Sequence, residues 1–214
     1  SQREEEYKDV EIRKIAKEAF RLADGCTISL KKDGFGNIGG VLAFNDDAMA
    51  EAARNLLILT EGFPTYGGLA GRDLDALAQG LKEITDKNYL EYRARSISYL
   101  AEKALSYDIP VVQPAGGHAL YIDAKTFLPN IPPHEYPGHS VACEIYLIGG
   151  VRAVELGTLA FGVANENGEP DTPATHELVR LAAPRRTYTQ SHFDYVAEVL
   201  EKLAEKKDKL KGYK

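Results

Sequence analysis

The sequence predicts an α/β protein in two parts, and three observations carry that reading. Apolar residues recur at three- and four-residue spacing near the N-terminus, across about 72–106, and at the C-terminus. Short β-branched or aliphatic runs bounded by glycine separate these helical stretches. Near residue 110 the texture changes to prolines, strand candidates and turns. We therefore expect one domain over 1–110. The second, over 111–214, should be a smaller α+β domain with antiparallel strands.

Taken in order, residues 3–23 read as an amphipathic helix with Ile12, Ile15, Ala16, Ala19 and Ala23 on one face, ended by Asp24-Gly25. "CTISL" (26–30) and "IGGVLAFN" (38–45) read as strands, with a lysine- and glycine-rich loop between them. Asp46-Asp47 can cap a helix running to about Thr60. "EGFPTYGGLAGRD" (61–73) is a glycine-rich loop. The helix over about 72–106 is weakened by Gly80 and interrupted near "TDKN". "IPVVQPAGGHALYIDA" (109–124) reads as strand, turn, strand. "FLPNIPPHEYPGH" (127–139) has four prolines and reads as loop. A helix follows over about 139–149, with Val141, Ile145 and Ile148 on one face. "AVELGTLAFG" (153–162) and "ELVRLAAPRR" (177–186) are strand candidates, with an exposed turn, "NENGEPDTPAT", between them. Gln190 opens a closing helix, apolar at Val196, Leu200 and Leu203.

Composition excludes several function classes. With 44% hydrophobic and 27% charged residues, the chain has the balance of an ordinary globular protein. A net charge of -6 argues against nucleic acid as a partner, because phosphate binding needs a basic face. No apolar run approaches the ~18 residues of a membrane span, and "SQREEEYKDV" lacks the apolar core of a signal peptide. Cys26 and Cys143 lie far apart and form neither a disulfide framework nor a metal-ligand spacing. A reducing, cytoplasmic compartment is expected. The chain opens without a methionine, so it is expected to be processed or cut.

The candidate chemistry starts with Lys31-Lys32. An amine is a nucleophile only when unprotonated, and a neighbouring cation favours that form. In an extended strand, neighbours point to opposite faces. One lysine can then reach a cofactor while the other sets the local field. Ser29, three residues before Lys32, offers a hydroxyl to a phosphate. Taken alone, the dipeptide reads as a solvated surface turn, since lysine pairs are common.

Other patterns lead nowhere. "HEYPGH" (134–139) spaces its histidines by five with a proline between, unlike the helical zinc pattern. His118 reads as a packed or hydrogen-bonded strand histidine. "GFGNIGG" lacks the dinucleotide spacing. Tyr66 and Arg72 sit in a loop and receive no role.

"DGCTISLKKDGFGNIGG" (24–40) resembles the cofactor-lysine segment of the β-eliminating lyases, which cleave tryptophan or tyrosine. The resemblance continues in family order through "EYKD" (6–9), "EGFPTYGGLAGRD", "PAGGHALYIDA", "ACEIY" (142–146), "GVRAVELG" (150–157) and "VRLAAPRRTYTQSH" (179–192). It implies a pyridoxal 5'-phosphate enzyme of fold type I, the aspartate aminotransferase type. Residues 1–110 would end the large cofactor domain, and 111–214 would form the small domain. Lys32 would be the Schiff-base lysine and the base for the α-proton. Ser29 would bind the cofactor phosphate, with Lys31 held nearby. Arg180 would clamp the substrate carboxylate, a task suited to the guanidinium fork. The backbone carbonyl of Asn37 would be a ligand to a potassium ion.

The resemblance also implies a substrate. The tyrosine branch carries an arginine where this chain has Leu156, and an aliphatic side chain there cannot serve a phenol hydroxyl. Phe63 and "YTQ" (188–190) also resemble the tryptophan branch, whereas "GCTIS", "NIGG", "GRD" and "PRR" look closer to the tyrosine branch. We expect β-elimination of L-tryptophan to indole, pyruvate and ammonia. The alternatives are tyrosine as substrate, or a non-catalytic half acting as an assembly module. The chain resembles only the C-terminal portion of such an enzyme, so a missing N-terminal half or a homo-oligomer, a tetramer in the family, is the expected partner.

Overall fold

The computed structural model describes residues 4–32, 34–63, 68–168 and 170–213. The chain divides into two compact units, Ser1–Leu90 and Glu91–Lys214. This division falls earlier than the expected boundary near 110. The reason is packing: Ile97, Leu100, Ala101, Ala104 and Ile109 are all buried in the core of the second unit.

In the first unit a 3-10 turn at Glu5–Tyr7 precedes α1 (Ile12–Arg21). The single helix expected over 3–23 is shorter because the apolar spacing begins only at Ile12. β1 (Gly25–Ile28) and β2 (Val41–Phe44) pair antiparallel, Gly25 opposite Phe44 and Ile28 opposite Val41. α2 (Asp47–Thr60) starts where Asp46 accepts the Met49 N–H at 2.7 Å, the expected cap. α3 (Gly71–Glu83) and α4 (Lys87–Ser106) replace the long helix over 72–106. The interruption is where the sequence expects it, and Asp86 accepts the Tyr89 N–H at 3.0 Å to start α4. Gly80 does not break α3. It is buried, and a β-carbon there would collide with the Gly34 carbonyl oxygen. The glycine lets the lysine loop lie directly on the helix.

The second unit continues α4 and adds β3 (Ala119–Asp123), α5 (Ala124–Phe127) and α6 (Pro137–Gly149). Then come β4 (Val154–Leu156), α7 (Thr158–Phe161), β5 (Val163–Ala164), β6 (Pro170–Thr172), β7 (Leu178–Ala182) and α8 (Gln190–Glu205). The main sheet is antiparallel in the order β3-β7-β4. Val179 and Leu181 of β7 point into a core shared with Leu120, Ile122, Val141, Ile145, Leu200 and Leu203. Three strand expectations change. The first strand of 109–124 shrinks to a bridge at Val111, because Pro110 and Pro114 lack the N–H a ladder needs. The strand expected over 153–162 ends at Leu156 and turns into α7. The exposed turn of 165–175 contains β6, paired antiparallel with β5.

What ends β4 is a pair of carboxylates. Glu177, 1% exposed, accepts the Thr158 N–H at 2.9 Å and the Thr158 hydroxyl. Glu155, also buried, accepts the Leu159 N–H at 3.3 Å. Together they take up helix-start amides that have no partner within α7. A β-carbon at Gly157 would collide with Glu177 Oε2 and lie 2.6 Å from Glu155 Oε1. Burial first, and the Glu177 charge second, push the Glu155 carboxyl above its ordinary range.

A raised carboxyl favours its neutral form in the folded state. Its stabilising contribution is therefore complete below the ordinary carboxylate pKa of about 4.3 and is lost as pH rises through the raised folded value. Glu155→Gln mimics the neutral form. Melting temperatures should match wild type in mild acid, with the variant increasingly the more stable towards neutral pH. A gap that stays constant or reverses would contradict the assignment.

Candidate active site

The lysine pair does not extend a strand. β1 stops at Ile28, and in the turn that follows the Lys32 N–H donates to the Ser29 carbonyl at 3.1 Å. The Lys31 N–H donates across the loop to the Gly39 carbonyl at 3.2 Å. The extended arrangement expected for Lys31 and Lys32 thus gives way to turn geometry. Leu30 is the cause. It is 2% exposed, and the Gly36 N–H returns to its carbonyl at 3.1 Å. A β-carbon at Gly34 would lie 2.8 Å from the Leu30 backbone, so the loop folds over Leu30 only without side chains.

The turn gathers Ser29, Lys31 and Lys32 into four residues. Both lysine residues are exposed and Ser29 is half-buried. A primary amine can add to an aldehyde, and a hydroxyl or amide can hold a phosphate. That donor set fits an aldehyde-bearing phosphate cofactor. Asn37 lies further along the same loop, and its side-chain amide donates to Asp73 Oδ1 in the first turn of α3 at 3.3 Å. Phe63 is 46% exposed after α2. Arg72 is exposed at the start of α3. Tyr66 lies outside the described residues.

In the second unit Arg180 sits mid-sheet, opposite Tyr121 of β3 and Val154 of β4. Leu156 stands two residues along β4, opposite Leu178. The period of two puts Tyr121, Arg180, Val154 and Leu156 on one face. Leu120, Ile122, Val179, Leu181 and Glu155 occupy the other, buried face. So β7, which anchors the core, carries Arg180 on the opposite face, and the neighbouring β4 carries Leu156 on that same face, diagonal to the arginine. The Arg180 Nε is buried and has no hydrogen-bond partner among the described residues. A dry, unmet donor costs about 1–3 kcal/mol. On a guanidinium edge it matches one oxygen of a carboxylate.

His118 is neither packed nor within a strand. It lies exposed in the turn just before β3, with its carbonyl accepting the Ala183 N–H at 2.7 Å. His134 is exposed in a 3-10 turn, while His139 on α6 lies 3.5 Å from the Cys143 sulfur and packs edge-on against Tyr213. Patterning points to neither Tyr121 nor the Glu155–Glu177 pair. Alternation within "ALYID" and "VEL" sets the faces of Tyr121 and Glu155, but their neighbours come from strand pairing across 20 to 60 residues.

A family model described as beta-eliminating lyase matches residues 8–199. A tryptophanase from Hyphomonas neptunium is 61% identical over 210 residues, covering 98% of this chain and 46% of that protein. A tryptophanase from Rhodobacter capsulatus is 58% identical over 99% of this chain and 46% of its own. A tyrosine phenol-lyase from Pasteurella multocida is 47% identical over 99% and 46%. The chain spans a little under half the length of these relatives. Among solved structures, 8-amino-7-oxononanoate synthase from Francisella tularensis aligns with a TM-score of 0.53 at 15% identity, over 86% of this chain and 46% of that one. SPT with PLP aligns at 0.54 and 12%, over 86% and 40%. These distant likenesses speak for the fold alone, which is part of a fold-type-I, aspartate aminotransferase-like architecture. By the reach of the family model and the identity to its members, the chain belongs to the β-eliminating lyase family.

Proposed function

We propose that this chain forms the C-terminal half of a pyridoxal-phosphate-dependent carbon–carbon lyase that converts L-tryptophan to indole, pyruvate and ammonia. The observation that carries the reading is Arg180. It shares a face of the main sheet with Leu156, diagonal to it, and its buried Nε has no hydrogen-bond partner among the described residues, an arrangement that suits an α-amino acid with an apolar ring. Roles fall to each unit separately. The first supplies Lys32, whose amine would hold the cofactor at its aldehyde and would serve as base for the substrate α-proton when the substrate amine takes its place. Ser29 supports the phosphate, and Lys31 contributes positive potential beside it. The cofactor, when bound, serves as a sink for the electron pair left at the α-carbon. The second unit supplies Arg180 as the carboxylate clamp and Leu156 as apolar surface for the ring. Phe63 contributes aromatic surface. On this reading the residues of 1–110 complete a cofactor domain, and those of 111–214 form the small domain.

Tryptophan is favoured over tyrosine on two grounds. Leu156 offers no partner to a phenol hydroxyl, and a polar group facing it would go unpaired. The tryptophanases named above, at 61% and 58%, exceed the phenol-lyase at 47%. Assembly with further chain is part of the proposal, as the remaining half of the enzyme and as a cytoplasmic homotetramer. Leu22 at 86% and Leu59 at 83% exposure support the first unit being covered in use. The same exposure is what an assembly module without catalysis would present. For potassium, the Asn37 carbonyl is one ligand of the several oxygens a cation needs. Among the described residues no cluster of three or more His, Cys, Asp or Glu side chains adds to it.

Three measurements on the assembled protein test these roles. Borohydride in the presence of cofactor should fix the label on Lys32, and Lys32→Ala should abolish the visible band near about 420 nm. Labelling elsewhere would overturn the lyase reading, and no labelling at all would favour the assembly module. Arg180→Ala should lower kcat/KM by a factor equivalent to about 2–5 kcal/mol of transition-state binding, mostly through a raised KM. Leu156→Arg should move the product ratio from indole towards phenol, and an unchanged ratio would count against Leu156 as a ring contact.

A further inference from the structure

We propose that Glu177 is a positioning residue that aligns Leu156 with Arg180 by locking the turn after β4 to the head of β7. The inference rests on the lyase reading for its consequences, but its geometry stands alone. Glu177 immediately precedes β7. Its side chain accepts the Thr158 N–H at 2.9 Å and the Thr158 hydroxyl. The Thr158 oxygen in turn accepts the Ala174 N–H at 3.0 Å, tying down the chain that leads back to β7. Through its own carbonyl Glu177 accepts the Ala124 N–H at 2.8 Å, at the end of β3. One residue thus joins the ends of all three strands of the main sheet, and those strands carry Tyr121, Leu156 and Arg180 on the open face.

Two further observations separate this from ordinary packing. Glu177 is 1% exposed and its Oε2 has no hydrogen-bond partner among the described residues. A buried carboxylate with an unmet oxygen costs stability relative to an apolar residue of the same shape. What it gives in return is direction, because its accepted bonds hold the turn in one register. Gly157 closes the remaining space, since a β-carbon there would collide with that same oxygen. Leu156 is the residue directly before this glycine, so a loosened turn moves Leu156 first.

The test compares Glu177→Ala, Glu177→Gln and Thr158→Val in the assembled, cofactor-loaded enzyme. Glu177→Ala should raise KM for tryptophan roughly 10- to 100-fold, change kcat far less, and narrow the preference for tryptophan over tyrosine. Glu177→Gln keeps an acceptor for the Thr158 N–H and should recover most of that loss. Borohydride labelling of Lys32 should be unchanged throughout. In parallel, hydrogen exchange at the amides of Thr158 and Leu159 should accelerate in Glu177→Ala, while the amides of Ile97 to Ala104 stay protected. A purely structural residue would lower thermal stability at constant KM and constant substrate preference, and that result overturns the proposal. If wild type cleaves neither amino acid, the lyase reading fails, and exchange decides alone: unaltered exchange at Thr158 and Leu159 overturns the positioning role. Should Glu177→Ala not fold, Thr158→Val is read in its place. An intermediate rise in KM supports the role, and an unchanged KM overturns it.

Discussion

β7 is paired along both edges, and the second unit is organised by that fact. A strand bonded on two sides has its register fixed twice, by β3 and by β4. Slipping it by one residue would turn Val179 and Leu181 out of the core and Arg180 into it. Neither a buried guanidinium without an acceptor among hydrocarbon nor two exposed aliphatics in its stead is tolerable. The hydrophobic face therefore enforces where the arginine goes. Packing and chemistry are specified by one alternating pentapeptide, "LVRLA".

The two units are built differently. The second has a continuous core contributed by α4, α6, α8 and the main sheet. The first buries Leu30, Leu77 and Tyr89 but leaves Phe20, Leu22, Met49, Leu56 and Leu59 at the surface. Its order near the lysines comes from backbone contact instead. Glycines at 34, 36 and 80 let the loop and α3 approach where side chains would collide. An edge-on pair of rings, Phe35 and Tyr89 at 4.6 Å, adds to this contact. A turn held this way keeps Lys32 at the surface, where an amine can be reached.

Much of this was legible in the chain. Local rules worked where the signal is local. Asp46 was readable as a cap, "TDKN" as an interruption, and "ELVRLAAPRR" as a strand, which the structure ends at Ala182 ahead of Pro184. The strand expected over 26–30 stops at Ile28, because Leu30, which prolongs its apolar run, is buried in the turn that follows. The loop folded over it rests on α3, more than forty residues along the chain, where Gly34 meets Gly80 and Gly36 meets Leu77. The strand expected over 153–162 rests on the apolar Leu159, Ala160 and Phe161, yet β4 ends at Leu156. The chain then becomes helical because Glu177, nineteen residues later, supplies the acceptor that the first amide of α7 needs. Propensity is silent about such partners. The same holds for the boundary between units, which is set by what α4 packs against rather than by where prolines begin.

The excursion from Thr158 to Glu177 has a consequence for how such chains can diversify. Its two feet are fastened together at the base, so the β5–β6 hairpin it carries is mechanically insulated from the sheet. Lengthening a closed excursion raises its entropic cost only logarithmically, about 0.6 kcal/mol per doubling. Relatives could therefore enlarge or trim this appendage, and decorate it for new contacts, without disturbing the alignment beneath it.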